Sequence, residues 1–175
     1  MVDKIRETLK NKEGNMFLFL MMCIVLFIGV SGLILDFFNL HVKSTKIKHA
    51  MNFAVKASSL QILEGEELAD GVFLIDPFKA KEAFDTILAK NIGLNEYTFE
   101  PLEKSLVYER PNIREFHVEN TFPINYYSST LNNTFPIENP TTIAVIEFKV
   151  RGILLKRTIR VSKLSSSQLT SVYAP

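Results

Sequence analysis

The stretch that decides the fold reads MFLFLMMCIVLFIGVSGLIL and occupies residues 16–35. It carries no charged side chain, and a helix of this length can cross a bilayer core of about 30 Å. Backbone N–H and C=O groups must pair with each other in lipid, and a helix achieves this within one segment. The sequence therefore predicts one transmembrane helix over residues 16–36, ending at Asp36.

Basic residues flank this segment on both sides. Those before it are Lys4, Arg6, Lys10 and Lys12, and those soon after it are Lys43, Lys46 and Lys48. Because cytoplasmic flanks carry the excess of Lys and Arg, the slight surplus favours a cytoplasmic N-terminus, with residues 1–15 as a short stub. The apolar core is longer than that of a signal peptide, and no small-x-small cleavage site follows it, so a retained anchor is predicted.

The helix is predicted to continue beyond the span as an amphipathic extension over residues 37–63, which contain neither Gly nor Pro. Small and apolar residues recur there near helical spacing, namely Ile47, Ala50, Met51, Ala54, Ala57 and Leu60. The stripe formed by Ala50, Ala54 and Ala57 packs either on the chain's own sheet or on partner subunits.

One further helix is predicted between Asp76 and Gly93. Asp76 can accept backbone N–H groups at the N-cap, and Pro77 suits the first helical position. Gly93 suits the C-cap. The apolar face between them consists of Ala80, Ala83, Phe84, Ile87 and Leu88.

After this helix the apolar period changes to alternation, which predicts an antiparallel sheet. Residues 97–99, 105–109 and 113–120 are interpreted as short strands. The clearest pattern lies at residues 142–161, where two alternating runs flank Arg151-Gly152, a pair typical of a tight hairpin turn. The fold class is therefore α+β, with a single domain over residues 64–175 outside the membrane.

Three segments are interpreted as irregular. The acidic run at residues 64–67 is a solvated turn and not a metal site. The pentapeptide NTFPI occurs at residues 120–124 and again at 133–137, which suggests a loop with two similar bends. The Ser-rich tail from Ser165 is predicted to fray.

Composition and motifs argue against several classes of function. The 20 Lys and Arg residues balance the 19 Asp and Glu residues, so no broad field attracts nucleic acid. His41, His49 and His117 do not make up the three or four ligands that zinc needs. Neither a Gly-rich phosphate loop nor G-x-S-x-G occurs. We predict no enzyme activity, no catalytic residue, no cofactor, no metal and no small-molecule substrate.

Asp36 is the one charge that the pattern singles out, because it ends the apolar run directly. It is interpreted either as an interfacial residue that marks the lipid boundary, or as a polar contact. Such a contact sets the depth of the helix or pairs with a basic group on a neighbouring span. Gly29 and Gly32 lie one or two turns before it, where small residues let helix backbones approach closely in lipid.

An ordered set of motifs links the N-terminal region to a known family. The motifs are EGN at residues 13–15, the apolar span, GLILDF at 32–37 and IKHAMNFAVKA at 47–57. Residues 12 to 60 thereby resemble the N-terminal region of TadE/TadG-like proteins, which belong to the Flp (tight adherence) pilus assembly machinery of bacteria. The C-terminal half carries no matching motif.

The resemblance implies a cytoplasmic N-terminus and a pilin-like domain outside the bacterial cell membrane. Processed pseudopilins of this group carry Glu five residues after the cleaved Gly. Counted from Gly14, that position is Phe19. The chain therefore looks like the unprocessed members, which keep their anchor.

The function expected from these observations is structural. The chain is predicted to be a minor pilin-like or assembly component of a Tad/Flp-type pilus or secretion system. Its partners are membrane lipid and other membrane or pilus-assembly proteins. The residues taken as candidates for assembly or helix packing are Gly14, Gly29, Gly32, Asp36, Ala50, Ala54 and Ala57. The alternative is an anchored extracytoplasmic domain that binds or senses and is unrelated to pili.

Overall fold

A computed structural model describes residues 12–64 and 73–169. Its first element is a single helix, α1 (Lys12–Ser59), which runs without a break from the apolar segment into the amphipathic one. The predicted continuation beyond Asp36 is thus confirmed, although the helix ends at Ser59 and not at residue 63. Residues 1–11 of the predicted stub and 65–67 of the acidic run lie outside the described residues.

The second helix, α2 (Pro77–Ile92), has the predicted caps. The Asp76 carboxylate accepts the N–H groups of Phe78 at 2.9 Å and Lys79 at 3.1 Å. Gly93 adopts a left-handed φ of 78°, and its N–H donates to the carbonyl of Ala89 at the C-terminus. Local sequence therefore determines both ends of this helix.

Three strands form the main antiparallel sheet, in the order β1 (Asn112–Glu119), β4 (Thr141–Arg151) and β5 (Thr158–Gln168). β4 pairs with β5 over its whole length, from Thr141 opposite Gln168 to Arg151 opposite Thr158. β4 is buried along most of its length, which fits a central strand that is covered on both faces.

A two-stranded ribbon, β2 (Ile124–Ser128) and β3 (Asn133–Ile137), lies between β1 and β4 in the chain. Its second strand is the second copy of NTFPI, so the prediction of an irregular loop is wrong there. The first copy is mostly loop. Asn120 explains the difference, because its side chain is committed to the backbone of Ile75 through two hydrogen bonds of 2.9 Å.

The core lies between the sheet and the two helices. It includes Ile47, Met51, Ala54 and Val55 from α1, Phe84, Leu88 and Ile92 from α2, and Ala144, Ile146, Phe148 and Val150 from β4. Ala50 and Ala54 are buried, Ala57 is half-buried, and Leu60 is exposed. The stripe on α1 therefore faces the chain's own core for most of its length.

Two of the predicted short strands are wrong. Residues 97–99 form a turn in which the Asn95 side chain accepts the N–H groups of Tyr97 and Thr98. Residues 105–109 are an irregular segment in which the Ser105 hydroxyl donates to the carbonyl of Ile92. At residues 97–99 a polar side chain binds the backbone in place of a neighbouring strand. Residues 105–109 keep one bond to β4, from the Tyr108 N–H to the carbonyl of Lys149 at 2.7 Å.

The hairpin at residues 142–161 is confirmed, but its turn is longer than Arg151-Gly152. The two strands are joined by a loop over residues 152–157, so Ile153 and Leu155 do not belong to β5. The predicted fraying from Ser165 is wrong as far as Gln168, where β5 ends, and residues 170–175 lie outside the described residues. Ser165 donates to Asn52 and Ser167 bonds to Ser59, which ties this polar strand to α1.

Candidate functional site

Asp36 lies where the apolar half of α1 meets the folded domain, and it is only 4% exposed. Its Oδ1 accepts the backbone N–H groups of Ile153 at 2.6 Å and Leu154 at 3.1 Å. Its Oδ2 accepts the N–H of Leu155 at 3.4 Å. Three consecutive donors of the β4–β5 loop therefore converge on one carboxylate, and hydrogen bonds to a charged acceptor are the strong ones.

Gly152 makes this arrangement possible. A Cβ atom at this position would stand 2.7 Å from Oδ1 and 2.8 Å from Cγ of Asp36, which is closer than real side chains come. The Gly152 N–H donates to the carbonyl of Arg157 at 2.9 Å and closes the loop. The loop can thus approach the helix only where the side chain is absent.

A row of polar contacts continues from this junction along α1. The Lys43 ammonium donates to the carbonyl of Arg151 at 2.9 Å, and the Lys48 ammonium donates to the carbonyl of Leu164. Burial lowers the pKa of Lys48 below its ordinary value, and the positive charge of Lys163 lowers it further. These contacts hold the β4–β5 hairpin against the helix above Asp36.

The tip of the loop is apolar and open. The exposed fractions of Ile153, Leu154 and Leu155 are 62%, 57% and 59%, and the exposed Lys156 and Arg157 follow directly. Leu154 Cδ1 lies 3.6 Å from the position of a Cβ on Gly32. The loop therefore reaches back alongside the apolar segment itself.

The sequence-predicted residues lie in different surroundings, and Ala57 among them is half-buried. Gly32 and Asp36 meet the β4–β5 loop, while Ala50 and Ala54 lie in the core. At Gly29 no described atom comes within 4 Å of a Cβ position, so this part of the helix faces open space. Gly14 lies in the first turn of α1.

Sequence reasoning missed the partner of Asp36, because that partner lies in the same chain, 117 to 119 residues away. Neither interpretation, boundary marker or contact with a neighbouring span, included it. A signal was nevertheless present. Residues 151–157 read RGILLKR, and an apolar triplet bracketed by basic residues at the turn of a hairpin is unusual for a solvated turn.

A second polar cluster joins the ribbon to the sheet through Glu115 of β1. Its Oε2 accepts the hydroxyl of Ser128 at 2.7 Å, and its Oε1 accepts the N–H of Thr130 at 2.6 Å. Tyr126 and Ser129 also donate to this carboxylate. Burial by itself raises the pKa of Glu115, but the hydrogen bonds from Thr130 and Ser128 outweigh it and bring the pKa to about 2.

Because of this cluster, we expect the free energy of unfolding to fall in acid. The folded-state pKa of Glu115 lies below the ordinary 4.5. Its stabilisation is therefore complete above that value and is lost as the pH falls towards about 2. We expect Glu115→Gln to remove about 2 kcal/mol of unfolding free energy at neutral pH and progressively less in acid. Urea unfolding of both forms across this pH range measures it, and parallel pH curves would contradict the assignment.

The described residues offer no group of three or more His, Cys, Asp or Glu side chains placed to hold a metal ion. His41 and His49 are exposed on α1, and His117 stacks on Tyr126 with 5.2 Å between ring centroids. One cleft is lined by Lys81, Asp85, Phe99, Arg110, Pro111, Asn112 and Ile113. The junction of Asp36 with the β4–β5 loop is the candidate site because it ties the apolar half of α1 to the folded domain.

Comparisons with protein-family models, with curated proteins and with solved structures find no match for this chain.

Proposed function

We propose that this chain is a single-pass membrane protein of the bacterial cell envelope, with its N-terminus in the cytoplasm and its α+β domain outside. We propose further that it acts structurally, as a minor pilin-like or assembly component of a Tad/Flp-type pilus or secretion system. The resemblance of residues 12 to 60 to TadE/TadG-like proteins motivates the second part, and the architecture of α1 supports the first.

The observation that carries the proposal is the division of α1 into two halves with opposite environments. Among the described helices, α1 is the one long and apolar enough to cross a membrane, and none of its apolar window is buried in the fold. Its second half supplies Ile47, Met51 and Ala54 to the core. An exposed apolar surface of this size is unfavourable in water and favourable in lipid.

The contacts of Asp36 favour a retained anchor over a removed signal sequence. A signal sequence also passes the test of length and composition. Here, however, the residue that ends the apolar segment binds three N–H groups of the folded domain. Removal of the helix up to this point would take away the acceptor of these three N–H groups, at a cost of about 1 kcal/mol each.

A continuous helix also suits a structural role. No Pro occurs between residues 12 and 59, and the helix is unbroken between Asp36 and the core. The apolar segment and the folded domain are therefore joined rigidly by one helix. Subunits held in this way keep a fixed orientation in the bilayer. The open face at Gly29 leaves room for a neighbouring span to approach.

Fractionation and mass measurement test the anchor. We expect the native protein to stay in the membrane pellet after alkaline carbonate washing and to be released by detergent, because its apolar helix is held in lipid. We expect its mass to match the chain with residues 12–36 retained. Recovery from the aqueous fraction, or a mass that lacks the apolar segment, would overturn the proposal.

Photo-cross-linking in the same membranes distinguishes a role in assembly from simple anchorage. With a photo-reactive amino acid at Gly29, we expect cross-links to other membrane proteins of the assembly. The matched control carries the same group at Phe78, which is 88% exposed at the start of α2. Adducts with lipid alone at Gly29 would contradict the assembly role and favour the anchored binding or sensing domain.

A further inference from the structure

We propose that the β4–β5 loop is a second membrane contact, made by the folded domain itself. Ile153, Leu154 and Leu155 enter the boundary between headgroups and acyl chains beside α1, and Lys156 and Arg157 meet anionic lipid phosphates. This inference rests on the membrane anchorage proposed above. It adds a lipid-binding surface outside the helix and assigns that surface to these five residues of one hairpin.

The depth of the loop follows from its contacts with α1. Asp36, which binds the loop backbone, is the last residue of the predicted span. Gly32, which faces Leu154 Cδ1, lies one helical turn of about 5.4 Å further into the apolar segment. If the apolar segment spans the bilayer, the tip of the loop therefore lies below the level at which the helix leaves the hydrocarbon.

The side chains of the tip suit such an interfacial position. Ile153, Leu154 and Leu155 are each more than half exposed, although they are consecutive and apolar. Ile153 and Leu154 border one cleft with Leu35 and Phe38 of α1, so the exposed apolar surface of the loop is continuous with that of the helix. Because the apolar surface of the loop is continuous with that of the span, the bilayer that surrounds α1 also covers the loop. The molecule that covers the apolar tip is therefore lipid.

Several backbone N–H and C=O groups of the loop have hydrogen-bond partners within the protein. Irregular backbone is tolerated at membrane depth only where its polar groups find partners. Asp36 accepts the three N–H groups of residues 153–155. The carbonyl of Lys156 accepts from Arg151 Nε at 3.1 Å, and the carbonyl of Arg157 accepts from Gly152. A solvated turn would not need this degree of internal pairing.

The charges at the end of the loop fit the headgroup layer. Lys156 and Arg157 are exposed and follow the apolar triplet directly, while Lys43 of α1 lies on the same side, at the carbonyl of Arg151. Basic residues beside a buried apolar surface are attracted by anionic lipid. The apolar tip of the loop is thus followed by basic residues, just as the acyl chains of a bilayer are followed by the phosphates of its headgroups.

Tryptophan fluorescence in the full chain tests the inference, because the native sequence contains no Trp. Leu154→Trp places a single reporter at the tip, and the protein is reconstituted in bilayers of phosphatidylcholine and phosphatidylglycerol that carry brominated acyl chains. We expect about threefold stronger quenching at position 154 than at an exposed position far from the membrane. Leu155→Trp is a second reporter should Leu154→Trp disturb the contact with Gly32.

Two control positions keep the inference separate from the proposed function. Phe27→Trp lies in the span, where the native side chain is 73% exposed, and Phe78→Trp lies next to the far end of α1, about 35 Å along the helix axis from Asp36. Absence of quenching at position 27 would overturn the membrane span itself. Quenching at 27 but not at 154 or 155 would overturn the loop contact and leave the membrane span standing.

The role of Lys156 and Arg157 is tested by leaving out the anionic lipid. In bilayers without phosphatidylglycerol, we expect quenching at position 154 to fall while quenching at position 27 is unchanged. Equal quenching at position 154 with and without the anionic lipid would overturn the assignment of Lys156 and Arg157 to lipid phosphates.

Discussion

Replacement of Asp36 by Ala is expected to lower the free energy of unfolding by about 3 kcal/mol, because it leaves three backbone donors of the β4–β5 loop without an acceptor. Those donors belong to Ile153, Leu154 and Leu155, and the carboxylate that serves them is almost wholly buried. Urea unfolding of the full chain in lipid nanodiscs measures the loss. Hydrogen exchange at the same three amides is expected to accelerate about 100-fold.

Two variants serve as controls for this prediction. Asp36→Asn keeps one oxygen acceptor and nearly the same shape, so we expect about half of the loss. Asp76→Ala removes a carboxylate that also accepts two backbone N–H groups, but at an exposed N-cap, where water can replace it and about 1 kcal/mol is expected. If Asp36→Ala unfolded like the native chain and its loop amides stayed protected, the junction would contribute nothing to stability.

The elements that sequence predicted correctly are those governed by neighbours in the chain. Asp76, Pro77 and Gly93 lie within one helix length of each other and terminate α2 as expected. The continuation of α1 past Asp36 was readable because nothing in residues 37–59 interrupts a helix. In both cases propensity and capping act over a few residues, which is the range that a local pattern reports.

Only one side of the candidate site, Asp36, could be predicted from the sequence. Asp36 stands out as a charge at the end of an apolar run, but its partners are more than 100 residues away, and the unusual RGILLKR turn does not by itself link them to Asp36. The loop was misread for a related reason. Ile153 and Leu155 continue the alternation of a strand, but their N–H groups bind Asp36 and not a neighbouring strand.

The missed length of β5 has the opposite cause. Residues 165–168 are polar and were expected to fray, because an apolar face is what marks a strand in a sequence. Their stability comes from pairing with Thr141–Ala144 of β4 and from hydroxyl contacts to α1, among them Ser167 to Ser59 at 2.9 Å. A strand held by a buried neighbour needs no apolar pattern of its own.

Gly152→Ala is expected to cost about 2–3 kcal/mol, because its Cβ would occupy the space of the Asp36 carboxylate. The backbone of Gly152 is not left-handed, so the loss arises from the collision and not from the conformation. Gly32→Ala is the matched control. Its Cβ would meet Leu154 at an ordinary distance of 3.6 Å, and a change below about 0.5 kcal/mol is expected.

The double variant distinguishes this mechanism from general damage to the hairpin. Once Asp36 is Ala, the added Cβ at position 152 meets no carboxylate, so Gly152→Ala should then cost less than about 1 kcal/mol. The two losses are thus expected to be strongly non-additive in urea unfolding of the four forms. Additive losses would mean that the glycine is required for some other reason, and a fully stable Gly152→Ala would mean that helix and loop do not approach as closely as described.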